Sequence, residues 1–392
     1  MEYVKLGDLI SLVIDYRGKT PLKLKGEWAS EGYRALSALN VKTGGLVAED
    51  KIRFVNEDLY HKWMKQEVNR GDILITSEAP FGQVLQWNSD EKIVLSQRLF
   101  AIRIKTDVDN RYVYYYMTSQ PFQGELKARA TGSTVEGLRQ PALMKCRLSL
   151  PELPLQHRIA SILSTYDTLI ENNTKRIRLL EKMAENLYKE WFVRFRFPGH
   201  ENVEMENGLP KGWTVEKVKD WCRVFTGRKD VNQTVEGGKY AFFSCSPNMF
   251  HSDEYIYDGK AVLIAGNGSY TGRTRYFEGK FDLYQRTYAV VSDRPDDDFM
   301  FYLFLRFKYD FEPLHNGGTR GSAIPYIVMK DITKYKFLYD TDIVKCYTER
   351  VKPMFDEIDN LQHQNSLLAC QRDLLLPRLM SGKLEVKEEL LE

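Results

Sequence analysis

Hydrophobic and polar residues alternate along this chain with two different periods, and the shorter period marks its globular segments. Apolar or alternating runs of a few residues, bounded by Gly, Asn and Asp, predict β-strands at 74–75, 93–95 and 99–104. Aromatic-rich runs at 112–117 and 299–307 predict helices. Each globular segment is therefore expected to contain both strands and helices.

The longer period predicts two long helices. Apolar residues recur mostly in steps of three and four from about 155 to 191, with Asn173 inside the stripe. A second stripe covers 351–379 and is interrupted by Arg372; we expect its helix to begin at Pro353, because proline suits the first turn of a helix. One small domain cannot cover a helix of roughly 55 Å. The two stripes are therefore predicted to pack against each other.

The same motifs occur twice, in the same order and 188 or 189 residues apart. The pairs are RGDILI (70–75) with DGKAVLI (258–264), SQRLFAI (96–102) with YQRTYAV (284–290), DNRYVYY (109–115) with DDFMFYL (297–303), and YDTLI (166–170) with FDEID (355–359). Each copy also has a glycine-rich loop, at 131–134 and at 316–322, before its long helix. Four similarities at nearly one spacing indicate an internal duplication.

Composition narrows the classes of protein. The chain has 392 residues, a length typical of two domains, and its 43% hydrophobic residues suffice for a core. No apolar run reaches the roughly 18–20 residues of a membrane span, and the N-terminus does not resemble a secretory signal. The five cysteines form no C-x-x-C pair. We therefore expect a cytoplasmic protein in a reducing compartment, without a membrane partner.

Apparent catalytic motifs fail on inspection. Gly18-Lys19-Thr20 lacks the glycine that a phosphate-binding loop needs five residues earlier, where Val13 stands. The E-x-K triplets at 125–127 and 278–280 have the spacing found in many nucleases, but no convincing Pro-Asp precedes them. The six histidines show no metal-ligand spacing. The sequence thus predicts no catalytic set and no metal site.

Basic, small polar and aromatic residues recur on the predicted loops of both copies, a composition suited to phosphates and base edges. Taken singly, each of them is better explained as an ordinary surface-loop residue, and the recurrence of the whole pattern is what indicates binding. Gln97 and Gln285, within strand-like runs, are expected to point inward. The candidate DNA-binding residues are Arg17, Lys19, Thr20, Arg98, Arg129, Ser133, Thr134 and Arg139 in the first copy, and Arg228, Lys229, Asn267, Ser269, Tyr270, Arg273, Arg275, Arg320 and Ser322 in the second.

Several runs make the chain resemble the specificity subunit of type I restriction–modification systems. LPELPLQHRIA (150–160) is close to the family's LPPLxEQxxIA run, WFVRFRFPGH (191–200) and LPKGW (209–213) match its inter-repeat segment, and RDLLLPRLMSG (372–382) matches its C-terminal ending. The resemblance extends over the full length. It departs from the family pattern at 337–342, where the second LPPL equivalent is lost.

The resemblance implies an α+β fold with two pseudo-symmetric α/β target-recognition domains separated by a two-helix antiparallel coiled coil. The implied parts are recognition domain 1 (1–150), a central spacer helix (151–195), recognition domain 2 (196–345, with a linker at 196–213) and a C-terminal helix (346–392). Each domain would read one half of a bipartite DNA site.

The resemblance also implies partners. The helices would set the spacer and dock two methyltransferase subunits, which restriction subunits join in the prokaryotic cytoplasm. The chain itself would bind no cofactor and catalyse nothing, since S-adenosylmethionine, ATP and Mg²⁺ belong to the partner subunits. Two alternatives remain open: a coiled-coil scaffold without a DNA role, and a stand-alone nuclease acting on DNA.

Overall fold

The computed structural model describes residues 2–131, 136–292, 294, 299–312, 326–384 and 386, which form two compact units. Unit 1 combines Met1–Asn173 with His363–Glu392, and unit 2 is Thr174–Gln362. The boundaries between the units fall inside the two long helices. Each unit therefore includes a globular segment together with part of both helices, and the recognition-domain limits expected from the sequence stay a prediction.

Unit 1 is built on a four-stranded antiparallel sheet in the order β2-β10-β7-β8 and a three-stranded sheet in the order β6-β3-β9. Its strands are β1 (Glu2–Lys5), β2 (Ile10–Asp15), β3 (Tyr33–Leu36), β4 (Val41–Lys42), β5 (Gly45–Leu46), β6 (Arg53–Val55), β7 (Ile73–Thr76), β8 (Val84–Gln86), β9 (Ile93–Leu95), β10 (Leu99–Ile104) and β11 (Arg147–Leu150). Its helices are α1 (Leu6–Leu9), α2 (Glu57–Trp63), α3 (Asn110–Thr118), α4 (Gln120–Ala128), α5 (Gln140–Met144) and α6 (Leu153–Tyr188), of which the last continues into unit 2.

Helix α3 shows how the sequence determines its local structure. The Asp109 carboxylate accepts hydrogen bonds from the backbone N–H groups of Arg111 and Tyr112, which fixes the start of the helix. The aromatic run that follows is buried against strands of the four-stranded sheet and against the first turns of α6. The helix predicted from this aromatic run is confirmed.

Unit 2 has a six-stranded sheet in the order β15-β20-β18-β19-β16-β17. Its strands are β12 (Met205–Glu206), β13 (Leu209–Pro210), β14 (Thr214–Lys217), β15 (Cys222–Thr226), β16 (Tyr240–Phe243), β17 (Met249–Ser252), β18 (Tyr257–Ala265), β19 (Thr274–Leu283), β20 (Thr287–Ser292) and β21 (Lys336–Tyr339). Its helices are α7 (Val218–Trp221), α8 (Phe299–Phe311), α9 (Met329–Thr333) and α10 (Thr341–Met380), of which the last continues into unit 1.

The two units repeat one strand pattern. Strand β20 pairs with β15 and β18 in unit 2, just as β10 pairs with β2 and β7 in unit 1. Each unit also has a parallel pair, β3 with β9 and β16 with β19. The long strand β19 occupies the positions that β8 and β9 fill separately in unit 1. The duplication inferred from the sequence is therefore present in the fold.

The segment at 196–213 is more than the linker that its composition predicts. It contains the β12–β13 pair, and the rings of Phe197 and Trp213 lie 5.2 Å apart in the core of unit 2. Pro198 and the three Gly residues of this segment form turns, which sequence composition cannot distinguish from an unstructured connection. The segment therefore connects α6 to the strands of unit 2 as a packed part of that unit, because these aromatic side chains bury apolar surface.

The long helices α6 and α10 run antiparallel within each unit, because residues further along α6 pair with residues earlier in α10. In unit 1, Asp167 pairs with Arg372, and in unit 2, Arg176 pairs with Glu357. Most positions of the predicted stripes are buried or partly buried, whereas Leu169 is exposed. The prediction that the helices pack against each other is confirmed.

Helix α10 begins at Thr341, so the predictions of a start at Pro353, and of a C-terminal helix starting at 346, were wrong. The Asp340 carboxylate accepts a hydrogen bond from the N–H of Ile343 and caps the true start. Pro353 consequently lies inside the helix, where it supplies no N–H to the turn before it. Packing of the apolar residues on the preceding turns, Val344, Tyr347 and Val351, stabilises those turns.

Candidate nucleic-acid interface

An open cleft of about 650 Å³ lies at one end of the four-stranded sheet of unit 1. Three segments that are distant in sequence form it: the residues after β2, the residues after β7, and the turn that precedes β10. Its lining comprises Asp15, Arg17, Gly18, Thr20, Lys23, Ser77, Glu78, Gln97 and Arg98. The sheet thus brings together three of the predicted DNA-binding residues, Arg17, Thr20 and Arg98.

Acidic partners hold the arginines of this cleft. The guanidinium of Arg17 donates two hydrogen bonds to the Asp15 carboxylate, at 2.9 and 2.6 Å, and lies 4.8 Å from the centre of the Phe100 ring. The Nε of Arg98 lies 3.2 Å from a carboxylate oxygen of Glu78. These pairs orient the cations, and arginine is the side chain best suited to bidentate contacts with phosphate or guanine.

Lys19 and Thr20 take part in local structure. The Nζ of Lys19 donates to the carbonyl oxygen of Trp63 at 2.6 Å and lies over the Tyr16 ring. Burial, together with the positive charge of Lys65, lowers the pKa of Lys19. Thr20 accepts a hydrogen bond from a backbone N–H three residues later and still lines the cleft. Of these two residues, only Thr20 is among the residues that line the cleft.

The remaining candidates of unit 1 are not among the residues that line this cleft, or they lie outside the described residues. Arg129 forms an ion pair with Glu125 at 2.8 Å, four residues earlier along its chain. Arg139 is exposed just before α5. Ser133 and Thr134 lie outside the described residues.

In unit 2, the corresponding end of the sheet carries a cleft of about 280 Å³. Its lining includes Asn267, one of the candidates, together with Arg286 of the turn before β20 and Tyr288 of β20. The thiol of Cys245 contacts the side-chain oxygen of Asn267 at 3.3 Å and thereby helps to fix its amide. An amide held in place beside an exposed guanidinium is a suitable pair for base edges and phosphate.

Two other candidates of unit 2, Arg273 and Arg275, line a smaller cavity. Arg275 is partly buried: it donates to the carbonyl oxygen of Pro247 at 2.8 Å, and burial lowers its pKa. The guanidinium of Arg273 lies 5.9 Å from the ring centre of the exposed Tyr270. Ser269 is exposed in the same loop. Arg320 and Ser322 lie outside the described residues.

Lys229 links two strands of unit 2. Its Nζ lies 2.7 Å from the buried Asp282 carboxylate and 2.9 Å from Glu254, and it donates to Ser252. Burial acts to lower the pKa of Lys229, but the hydrogen bonds to Asp282 and Glu254 outweigh the effect of burial, so the pKa is raised. This lysine therefore has a clear structural role, whereas its neighbour Arg228 is exposed.

Gln97 and Gln285 do not point inward as expected. Both are exposed in two-residue turns, Gln97 with Arg98 and Gln285 with Arg286, that connect to β10 and β20. The apolar residues around them form the strands, and the polar pair itself forms the turn between them. Sequence reasoning therefore missed Gln97, Gln285 and Arg286 as surface candidates, although the repeated QR pair was a signal for them.

Metal chemistry and membrane insertion find no support in the described part of the chain. It contains no group of three or more His, Cys, Asp or Glu side chains that could hold a metal ion. Its helices include none that is both long enough and apolar enough to cross a membrane.

Comparisons with known proteins identify the family. The type I restriction modification DNA specificity domain matches residues 1–182 and 210–338, most of the chain. The chain therefore belongs to this family of DNA specificity subunits, whose role is recognition rather than catalysis, and the resemblance seen in the sequence is confirmed.

Individual relatives agree with this assignment. The chain is 29% identical over 345 residues to the type I restriction enzyme MjaIX specificity subunit of Methanocaldococcus jannaschii, covering 81% of this chain and 79% of that protein. It is 23% identical to the MjaVIII specificity subunit of the same organism, covering 98% of this chain and 93% of that one. The crystal structure of a type I S subunit from M. genitalium superposes with a TM-score of 0.59 at 18% identity, covering 96% and 95% of the two chains. The last match confirms the predicted fold class.

Proposed function

We propose that unit 1 and unit 2 each bind one half of a bipartite DNA site, and that the paired helices set the spacer between the halves. The observation that carries this proposal is the repeated site geometry. In both units, a loop after the central strand and a Gln-Arg turn come together at the same end of the sheet. Two similar surfaces on one chain suit a DNA site with two parts.

The paired helices also offer a surface to protein partners. Apolar side chains remain well exposed on both helices, at Leu179, Met183, Leu367 and Leu374, with exposures of 50–63%. Two methyltransferase subunits would cover these side chains, and restriction subunits would join that complex in the cytoplasm of a prokaryote. S-adenosylmethionine, ATP and Mg²⁺ would be bound by those partners and not by this chain.

Binding of the purified chain, with and without its methyltransferase partners, to randomised duplex DNA tests the proposal. The complex should enrich one bipartite sequence, and its affinity should fall steeply with salt concentration as phosphate contacts release counterions. A complex that binds no DNA would favour the alternative of a coiled-coil scaffold. Cleavage of DNA by the chain alone with Mg²⁺ would instead favour a nuclease.

A further inference from the structure

Individual residues around the two clefts occupy equivalent positions in unit 1 and unit 2. Strand β10 is in register with β7 so that Leu99 faces Thr76, and β20 is in register with β18 so that Thr287 faces Ala265. The residue that follows Thr76 in unit 1, and the one that follows Ala265 in unit 2, donates its N–H to the carbonyl oxygen of the arginine in the Gln-Arg turn. These hydrogen bonds are Ser77 to Arg98 at 2.8 Å and Gly266 to Arg286 at 2.9 Å.

Two more hydrogen bonds repeat in both units. The carbonyl oxygen of Ser77 accepts from Leu138, and that of Gly266 accepts from Ile327, both at 2.8 Å. Each loop closes when a glycine donates to the last strand residue, Gly82 to Thr76 and Gly272 to Ala265. Both glycines have positive φ, +68° and +87°. The next loop position is therefore equivalent in the two units: it is Glu78 in unit 1 and Asn267 in unit 2.

At this site the units agree in one feature and differ in another. Both present an exposed Gln-Arg turn, but the side chain beside the turn is a carboxylate in unit 1 and an amide in unit 2. Sugar–phosphate groups are common to any two half-sites, whereas base edges distinguish them. Side chains that the units share therefore suit contacts with the backbone of DNA, and side chains that differ suit contacts with bases.

We propose that Glu78 and Asn267 determine base specificity in their respective half-sites, while Arg98 and Arg286 contact the DNA backbone. This inference rests on the proposed function and assigns roles within it.

The chemistry of the two side chains supports the assignment. A carboxylate near phosphates is repelled unless it finds a donor, and the exocyclic amine of cytosine is the base donor that carboxylates accept from. Glu78 lines the cleft with its side chain 38% exposed, so an oxygen can reach a base while the residue still contacts Arg98. Asparagine pairs best with adenine, and the contact with Cys245 limits the orientations of the Asn267 amide.

The arginine positions differ in backbone conformation in a way that guides the choice of variants. Arg98 has a φ of +61°, a region that glycine adopts without strain. Arg98→Gly therefore removes the guanidinium without straining the turn. Arg286 is not among the described residues with positive φ, so Arg286→Ala is the matching change in unit 2.

The test uses the complete complex with its methyltransferase subunits in a host without other DNA methylation, and maps the methylated sites. Glu78→Gln should relax one base position of one half-site, and Asn267→Ala should relax one base position of the other, with discrimination falling between about five-fold and 150-fold. Glu31→Gln and Asn232→Ala make the same chemical changes at exposed positions outside the clefts and should leave the map unchanged. If Asn267→Ala prevents assembly, Asn267→Ser keeps a polar partner for Cys245 and gives the same readout.

The arginine variants supply the opposite expectation. Arg98→Gly and Arg286→Ala should keep the recognised sequence, weaken binding to cognate and unrelated DNA by a similar factor, and each lower the slope of log affinity against log salt by about one. Unchanged discrimination in the Glu78 and Asn267 variants, or a new base preference in the arginine variants, would overturn the inference. Failure of the wild-type complex to select any sequence would instead overturn the proposed function.

Discussion

The Asp167 carboxylate links three helices of unit 1, and its removal is a sharp test of how the globular segment is held on the paired helices. Tyr115 of α3 donates its hydroxyl to one carboxylate oxygen at 2.5 Å. The guanidinium of Arg372 on α10 contacts the other oxygen, also at 2.5 Å. The arginine that interrupts the apolar stripe of α10 is thus explained by its partner on α6.

The expected magnitude follows from partial burial. The side chains of Arg372 and Asp167 are 24% and 33% exposed, which lies between a surface pair, worth about 0–1 kcal/mol, and a buried pair, whose loss costs about 3–5 kcal/mol. Arg372 keeps a second contact with Asp373, which reduces the loss. We expect Asp167→Ala to lower the free energy of unfolding by about 2 kcal/mol, and Asp167→Asn by about 1 kcal/mol, because an amide oxygen still accepts one hydrogen bond.

Thermal unfolding of the chain measures this effect, with a decrease in Tm of roughly 4–8 °C expected for Asp167→Ala. Arg176→Ala provides a matched control, since it breaks another pair between the same two helices, with side chains 62% and 34% exposed. That control should cost less than about 1 kcal/mol. Equal losses for the two variants would refute the argument that partial burial, and not pairing alone, makes the Asp167 contacts strong.

Four further predictions follow from the same structure. Burial raises the pKa of the Cys146 thiol to about 11. In the folded chain, iodoacetamide at pH about 8 should therefore label the exposed Cys370 and spare Cys146, which peptide mass spectrometry would measure. Labelling of both cysteines at equal rates would contradict this prediction. Burial also raises the pKa of the Tyr112 hydroxyl. The free energy of unfolding should therefore keep its full value below pH about 10 and fall as the pH rises above it, because the unfolded chain loses this proton first. Urea midpoints that do not fall at high pH would contradict the prediction. Exchange of residues 1–150 for those of a relative should change one half-site in a methylation map and leave the other, and a change in both would disprove separate specificities. Four residues inserted near Thr174 lengthen α6 by about 6 Å and one turn, so the DNA spacer should grow by one to two base pairs; an unchanged spacer at full efficiency would exclude a ruler.

Local signals made much of the fold predictable. Aromatic runs and apolar stripes identified α3, α8 and α6, because burial of one helix face imposes a period that the sequence displays. The duplication was visible because both units need the same strand register. The start of α10 was missed because proline at 353 is a strong local signal, whereas the packing of the turns before it is a tertiary effect.

The candidate site was less predictable, since the cleft exists only when three segments meet. Nothing local to Glu78 indicates that it contacts Arg98, twenty residues later along the chain. Similarly, Lys229 looks like any loop lysine until strand pairing places Asp282 beside it. The alternation of apolar and polar residues also gave a wrong prediction for Gln97. The two-residue turn between the strands continues this alternation, although it belongs to neither strand.

The repeated hydrogen bonds around the clefts explain how one fold can carry two specificities. The loop between strand end and closing glycine is one residue longer in unit 2, from Ala265 to Gly272, than in unit 1, from Thr76 to Gly82, yet both loops start and close with the same backbone contacts. Those contacts involve main-chain atoms only, so the side chains between them can change without altering the sheet beneath. Because the buried strands fix the register and the loop side chains remain accessible, the side chains proposed to contact bases can change at little cost in folding stability. A chain that duplicates this arrangement gains two surfaces whose recognition can diverge while their framework stays the same.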